Sequence, residues 1–64
     1  MIGDEIKRLR VKKKLSQEKL ARLADISYNT MVKIETGATA NPGIRTVLAI
    51  AKALGVKVDR LIIE

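Results

Sequence analysis

Neither cysteine nor histidine occurs among the 64 residues, which also lack tryptophan and phenylalanine and hold a single tyrosine and a single proline. Without cysteine there is no disulfide framework and no thiolate chemistry. Without histidine as well, the usual zinc sites and most transition-metal sites are excluded, and no metal or cofactor is expected. Catalysis needs a nucleophile, a base or a metal gathered in a pocket, and so short a chain has little volume for one. No catalytic residue is assigned, and an enzyme is not expected. A long apolar run is missing too: the start, Met1-Ile2-Gly3-Asp4-Glu5, is acidic and leads into no extended apolar stretch. Neither a secretory signal nor a membrane span is read into it, and the chain reads as cytoplasmic.

What is abundant is positive charge. Thirteen Lys and Arg stand against seven Asp and Glu, a net charge of +6 with a pI near 10.1. Such a chain is attracted to polyanions. Nucleic acid leads as partner, with an acidic membrane surface or an acidic protein behind it, and simple solubility as the plain alternative. A chain of this length buries only about 60% of its unfolded surface. One domain over residues 1–64 is therefore expected, built as a helical bundle of low contact order.

Apolar residues recur at helical spacing through most of the chain, while strand-like alternation is missing, so the fold class is all-α with five short helices. The first runs from about Gly3 to Lys13, with Ile2, Ile6 and Leu9 on one stripe and Lys7, Arg8, Lys12 and Lys14 mostly off it. Ser16 caps the second, which carries Glu18 in its first turn and extends to about Ala24 with Leu20, Ala21, Leu23 and Ala24 facing inward. Asp25-Ile26-Ser27 breaks that helix, and Ser27 caps a third that ends at Thr36 before Gly37, a residue suited to the left-handed conformation. A small polar loop, Gly37 to Gly43, follows. The fourth helix starts near Gly43 or Ile44 and ends at Gly55; its stripe of Ile44, Val47, Leu48, Ala51 and Leu54, with Ala49, Ile50 and Ala53 alongside, predicts a helix apolar nearly all round and lying at the centre. Residues Lys57 to Ile63 form a last turn or two.

Two short helices joined by a turn of about three residues carry the helix-turn-helix signature, in which the second helix enters the major groove of DNA. In the third helix Met31 and Ile34 point toward a core, helped by Ile26 just before it. Tyr28, Asn29, Val32, Lys33 and Thr36 share the opposite face. Asn29 suits bidentate pairing with adenine, Lys33 reaches guanine or a phosphate, and Val32 or the Tyr28 ring meets a thymine methyl. A plain solvated helix face is the bland reading of the same residues.

Ser16-Gln17-Glu18-Lys19-Leu20-Ala21-Arg22-Leu23-Ala24-Asp25-Ile26-Ser27, then Ile34-Glu35-Thr36-Gly37, Asn41-Pro42 and Ala51-Lys52-Ala53-Leu54-Gly55-Val56, resembles the Cro and lambda-type repressor helix-turn-helix family over essentially the whole chain. The resemblance implies a lambda-repressor-like fold and a sequence-specific transcriptional regulator, a repressor by preference, of bacterial, archaeal or phage DNA. It implies base reading by Ser27, Tyr28, Asn29 and Lys33, to which the spacing of the outer face adds Val32. Phosphate contacts fall to Lys12, Ser16, Gln17, Thr36, Thr39, Ala40 and Asn41, with Gln17 also bracing the first side chain of the recognition helix. It further implies a partly buried ion pair between Arg10 and Glu35, which is read as structural and not as a general base. The chain departs from the pattern at Asp25 and Lys14, which replace frequent glycines, and at Tyr28, bulkier than the usual small polar residue.

One recognition helix reads only a few base pairs, so double-stranded DNA is expected to be bound by a homodimer on half-sites about 34 to 36 Å apart. Ile44, Val58 and Ile62 are the candidates for the two-fold interface, with closure of the domain's own core as the alternative for Ile62. A protein-interaction module of antitoxin or bridging type competes with the DNA reading, and would engage a non-identical partner through an apolar patch. A membrane-surface peptide driven by the basic first helix ranks lower, because interleaved caps and turns indicate a folded core.

Overall fold

Serine starts two of the helices. The Ser16 Oγ accepts the Lys19 N–H at 3.0 Å, and the Ser27 Oγ accepts the Thr30 N–H at 3.0 Å while donating to the Thr30 hydroxyl at 2.8 Å. Each of the two N–H bonds satisfies an amide that the first helical turn leaves without a partner. The computed structural model describes residues 1–62 and contains α1 (Ile2–Lys12), α2 (Gln17–Leu23), α3 (Tyr28–Thr36), α4 (Ile44–Leu54) and α5 (Asp59–Ile62). No strand occurs among the described residues. Ile63, expected in the last helix, lies outside them.

Three helices stop by the same device. After α1 the N–H of Lys14 bonds Val11 O and that of Leu15 bonds Arg10 O; after α2 Asp25 bonds Arg22 O and Ile26 bonds Ala21 O; after α4 Gly55 bonds Lys52 O and Val56 bonds Ala51 O. This is the Schellman pattern, with one residue in the left-handed region. Lys14 has φ 60°, Asp25 57° and Gly55 72°. The residue after each, Leu15, Ile26 or Val56, packs on the core. The left-handed residue therefore turns the chain so that an apolar side chain folds back inward. Gly37, φ 87°, ends α3 in the same region.

The core is aliphatic. Ile6, Leu20, Met31, Ile34, Ile50 and Leu54 are its largest fully buried side chains, and Leu61 closes it from α5. Burial of each large aliphatic contributes about 1.5 to 3 kcal/mol. The stripe of α4 is narrower than its composition suggests. Val47, Ile50, Ala51 and Leu54 are buried, whereas Ile44 and Leu48 are 61% and 49% exposed. At about 100° per residue, Leu48 lies roughly 110° from the centre of the buried arc, and Ile44 sits in the first turn. Leu23, expected to face inward, is likewise exposed, because the buried arc of α2 is centred among Leu20, Ala21 and Ala24.

Helix α1 meets α3 through Gly3 and Arg10, which share one face with the buried Ile6. Gly3 is buried, and a Cβ there would overlap the carbonyl oxygen of Ile34 and crowd that of Glu35. The requirement for glycine is thus a close backbone approach. Gly3→Ala is expected to destabilise the protein by about 1 to 3 kcal/mol, the usual effect of forcing atoms into a packed contact. Urea unfolding checks this, and a loss within error of zero would show that the two helices separate freely.

Candidate nucleic-acid interface

The frame of α3 is set by one buried carboxylate. Glu35, one residue before the end of α3, receives the Arg10 Nε at 2.7 Å and Nη2 at 3.1 Å, and the Gln17 Nε2 at 3.0 Å. Arg10 spends its remaining reach on the Leu15 carbonyl, 2.7 Å from Nη1. The two charged side chains are only 12% and 3% exposed. Among the described residues no buried side-chain nitrogen or oxygen lacks a partner. The network ties α1, the turn after it and the start of α2 to the carboxyl end of α3. Met31 and Ile34 anchor the same face of α3 in the core.

With that face fixed, the other is presented outward. Tyr28, Asn29, Lys33 and Thr36 are exposed, Val32 is half-buried between them and the core side, and the Ser27 cap is exposed at the helix start. The exposed face therefore offers an aromatic ring, a carboxamide, an ammonium and a hydroxyl along two turns. The loop after α3 is folded back on it. The Thr39 N–H bonds the Lys33 carbonyl at 3.0 Å, while the Thr36 hydroxyl donates to that carbonyl at 3.2 Å and accepts from the Ala38 N–H at 3.4 Å. Thr39, Ala40 and Asn41 thus stand beside the end of α3, Thr39 half-buried and the other two exposed.

The remaining predicted positions fall in two places. Ser16, which caps α2, is exposed. Gln17 is half-buried because its amide turns inward to Glu35, and not toward the first residues of α3. Lys12 is exposed at the end of α1. Ile44 and Ile62 are exposed near the start of α4 and in α5, on a groove that also involves Met1, Pro42 and Leu61. Val58 is half-buried and packs on the domain's own core.

Not every cation on α1 is available to a polyanion. Arg8 grips Glu5 through Nη2 at 2.6 Å and Nε at 3.0 Å, which holds the Glu5 carboxyl below its usual range and raises the guanidinium. Arg10 is committed to Glu35. Lys7, Lys12, Lys13 and Lys14 are exposed without an ion pair among the described residues. Gly3 and the Gln17–Glu35 bond are the parts of the frame that sequence reading missed. The stripe spacing of Gly3, Ile6 and Arg10 was the available signal for the first, and nothing local signals the second.

A short helix held inside by two apolar residues and a buried ion pair, with a second short helix packed across it and a polar outer face, is a helix-turn-helix arrangement. The sequence pattern of the helix-turn-helix family matches residues 6–61, and the chain belongs to that family. It is 36% identical over 63 residues to an immunity repressor protein of Bacillus phage phi105, covering 98% of this chain and 43% of that protein, so it spans well under half the length of this relative. Among solved structures it is similar to the restriction-modification controller protein C.AhdI from Aeromonas hydrophila, at 32% identity and TM-score 0.90 over 94% of this chain and 89% of that one. It is also similar to SinR, a master regulator of biofilm formation solved in complex with DNA, at 33% identity and TM-score 0.92 over 95% and 97% of the two chains. All three are regulators by name. No helix among the described residues is long and apolar enough to cross a membrane.

The buried pair generates a stability prediction. Replacing Arg10 alone by Met leaves the Glu35 carboxylate buried without its countercharge, and is expected to cost about 3 to 5 kcal/mol. Replacing both, Arg10→Met with Glu35→Leu, removes the uncompensated charge and should recover most of that loss. Urea unfolding of the two variants checks it, and a double variant no more stable than the single one would refute the charge-burial account.

Proposed function

We propose that this chain is a sequence-specific regulator of transcription, acting in the cytoplasm as a repressor, which binds double-stranded DNA as a homodimer with α3 in the major groove. The carrying observation is the outer face of α3. It is tied to α1 and α2 by the Arg10–Glu35–Gln17 network and exposes Tyr28, Asn29 and Lys33 together. The likeness to SinR, solved with DNA, supports the same reading.

In this mechanism the exposed lysines supply a salt-sensitive attraction, since each phosphate contact releases a condensed counterion. Ser16, Gln17, Thr36 and the Thr39–Asn41 loop fix register on the phosphates, which carry no sequence information. Gln17 has one amide hydrogen on Glu35. Its other hydrogen remains for a phosphate, so the residue links the backbone contact to the frame of α3. Asn29 pairs with adenine N6 and N7, Lys33 with guanine or a phosphate, and Tyr28 with Val32 forms an apolar surface for a thymine methyl. Ser27 contributes less in this geometry, because its hydroxyl is already engaged with Thr30, and Thr36 reaches a phosphate only by giving up its bond to the Lys33 carbonyl. Ile44 and Ile62 are the exposed apolar groups offered for the two-fold contact, while Val58, packed on the domain's own core, contributes less.

Selection from a random duplex pool is expected to enrich a two-fold symmetric motif with half-sites about 34 to 36 Å apart. Failure to bind any duplex would instead favour a protein-interaction module. On the selected motif, Asn29→Ala should lose about 1 to 3 kcal/mol of discrimination at one base position, and equal weakening on every sequence would remove Asn29 from base reading. Lys12→Ala should weaken all sequences alike and reduce the salt slope by about 0.9; an unchanged slope would remove Lys12 from the contacts.

A further inference from the structure

Of the three residues that close helices in the left-handed conformation with the same pair of backbone bonds, only one is glycine. Asp25 is the milder exception, since aspartate visits this region more readily than most residues. Lys14 has no such preference. Its Cβ is held at φ 60° against the steric cost that makes glycine the usual occupant. The fold makes no visible use of its ammonium, which is exposed and has neither hydrogen bond nor ion pair among the described residues. A strained position occupied by a charge that the fold does not use points to a role outside the fold.

The position of Lys14 says where. It precedes Leu15, whose carbonyl is gripped by Arg10, and lies three residues before Gln17, whose amide is bonded to Glu35. Both bonds run to the network that holds α3, so the turn carrying Lys14 is fixed relative to the outer face of that helix. Lys12 and Lys13, both exposed, continue the same positive run, and no carboxylate occurs between Glu5 and Glu18.

We propose that Lys14 is a DNA-phosphate contact, retained at a strained backbone position where glycine would make the protein more stable but a weaker binder. This inference rests on the DNA-binding reading of α3. It differs from an ordinary surface lysine in predicting opposite changes from one substitution. Lys14→Gly relieves the left-handed strain and removes the charge. It should raise the melting temperature by about 2 to 6 °C, after allowance for the extra freedom of glycine in the unfolded chain. It should also lower the salt slope of DNA binding by about 0.9, an affinity loss of about eightfold at 0.1 M salt relative to 1 M.

The test titrates a labelled random-sequence DNA duplex at several salt concentrations, since a phosphate contact is blind to sequence. Wild type, Lys14→Gly, Lys14→Arg and Asp25→Gly are compared, with thermal unfolding of each. The expected result is a more stable, weaker-binding Lys14→Gly, a Lys14→Arg that keeps the wild-type slope, and an Asp25→Gly that binds no more weakly than wild type. A Lys14→Gly with wild-type slope and affinity would overturn the phosphate contact while leaving the DNA reading intact. A lowered melting temperature would overturn the strain argument, and a wild-type protein without salt-dependent binding would overturn both readings.

Discussion

Glu35 is a carboxylate almost sealed from solvent, and its burial is tolerable only because Arg10 meets it with two parallel N–H bonds and Gln17 adds a third. An ionised group taken out of water without such partners would cost several kcal/mol. The geometry of the compensation has consequences well beyond its own energy. Arg10 belongs to α1, Gln17 to α2 and Glu35 to α3, so the three helices cannot shift relative to one another without exposing or stranding the charge. Apolar packing is non-directional and would tolerate small slips of α3; the bidentate pair does not. A helix that must place two or three side chains against fixed partners needs that kind of constraint.

The rest of the molecule is arranged around this frame. Gly3 lets the α1 backbone approach the end of α3, which brings Arg10 within reach of Glu35. The left-handed residues at the ends of α1 and α2 turn Leu15 and Ile26 into the core. The connections on either side of α2 are thereby kept short and fixed. Helix α4 supplies the largest apolar stripe from below. With every inward group committed, the outward face of α3 is free to be polar, and its chemistry can vary without disturbing the fold.

Much of this was legible in the sequence for reasons that are local. Ser16, Ser27, Gly37 and Gly55 punctuate the helices because caps and left-handed turns depend on single residues, whereas Lys14 and Asp25 stood out as occupants of a glycine position only against the pattern of the family the chain resembles. The two faces of α3 followed from spacing alone. What spacing could not give was the width of each buried arc. Leu23, Ile44 and Leu48 are as apolar as their buried neighbours, and only the directions from which neighbouring helices approach, α3 and α4 on α2 and α2, α1 and α5 on α4, decide that they stay outside. The inward turn of Gln17 was equally hidden, since its partner lies 18 residues away.

The central claim is that the outer face of α3 is the surface that meets DNA, and amide chemical-shift mapping tests it most directly. Titrating a selected duplex into isotopically labelled protein should move the signals of Tyr28, Asn29, Lys33 and the Thr39–Asn41 loop first and furthest, with Lys12 and Gln17 following. Shifts confined to Ile44, Leu48 and Ile62, with the α3 face unmoved, would contradict the account.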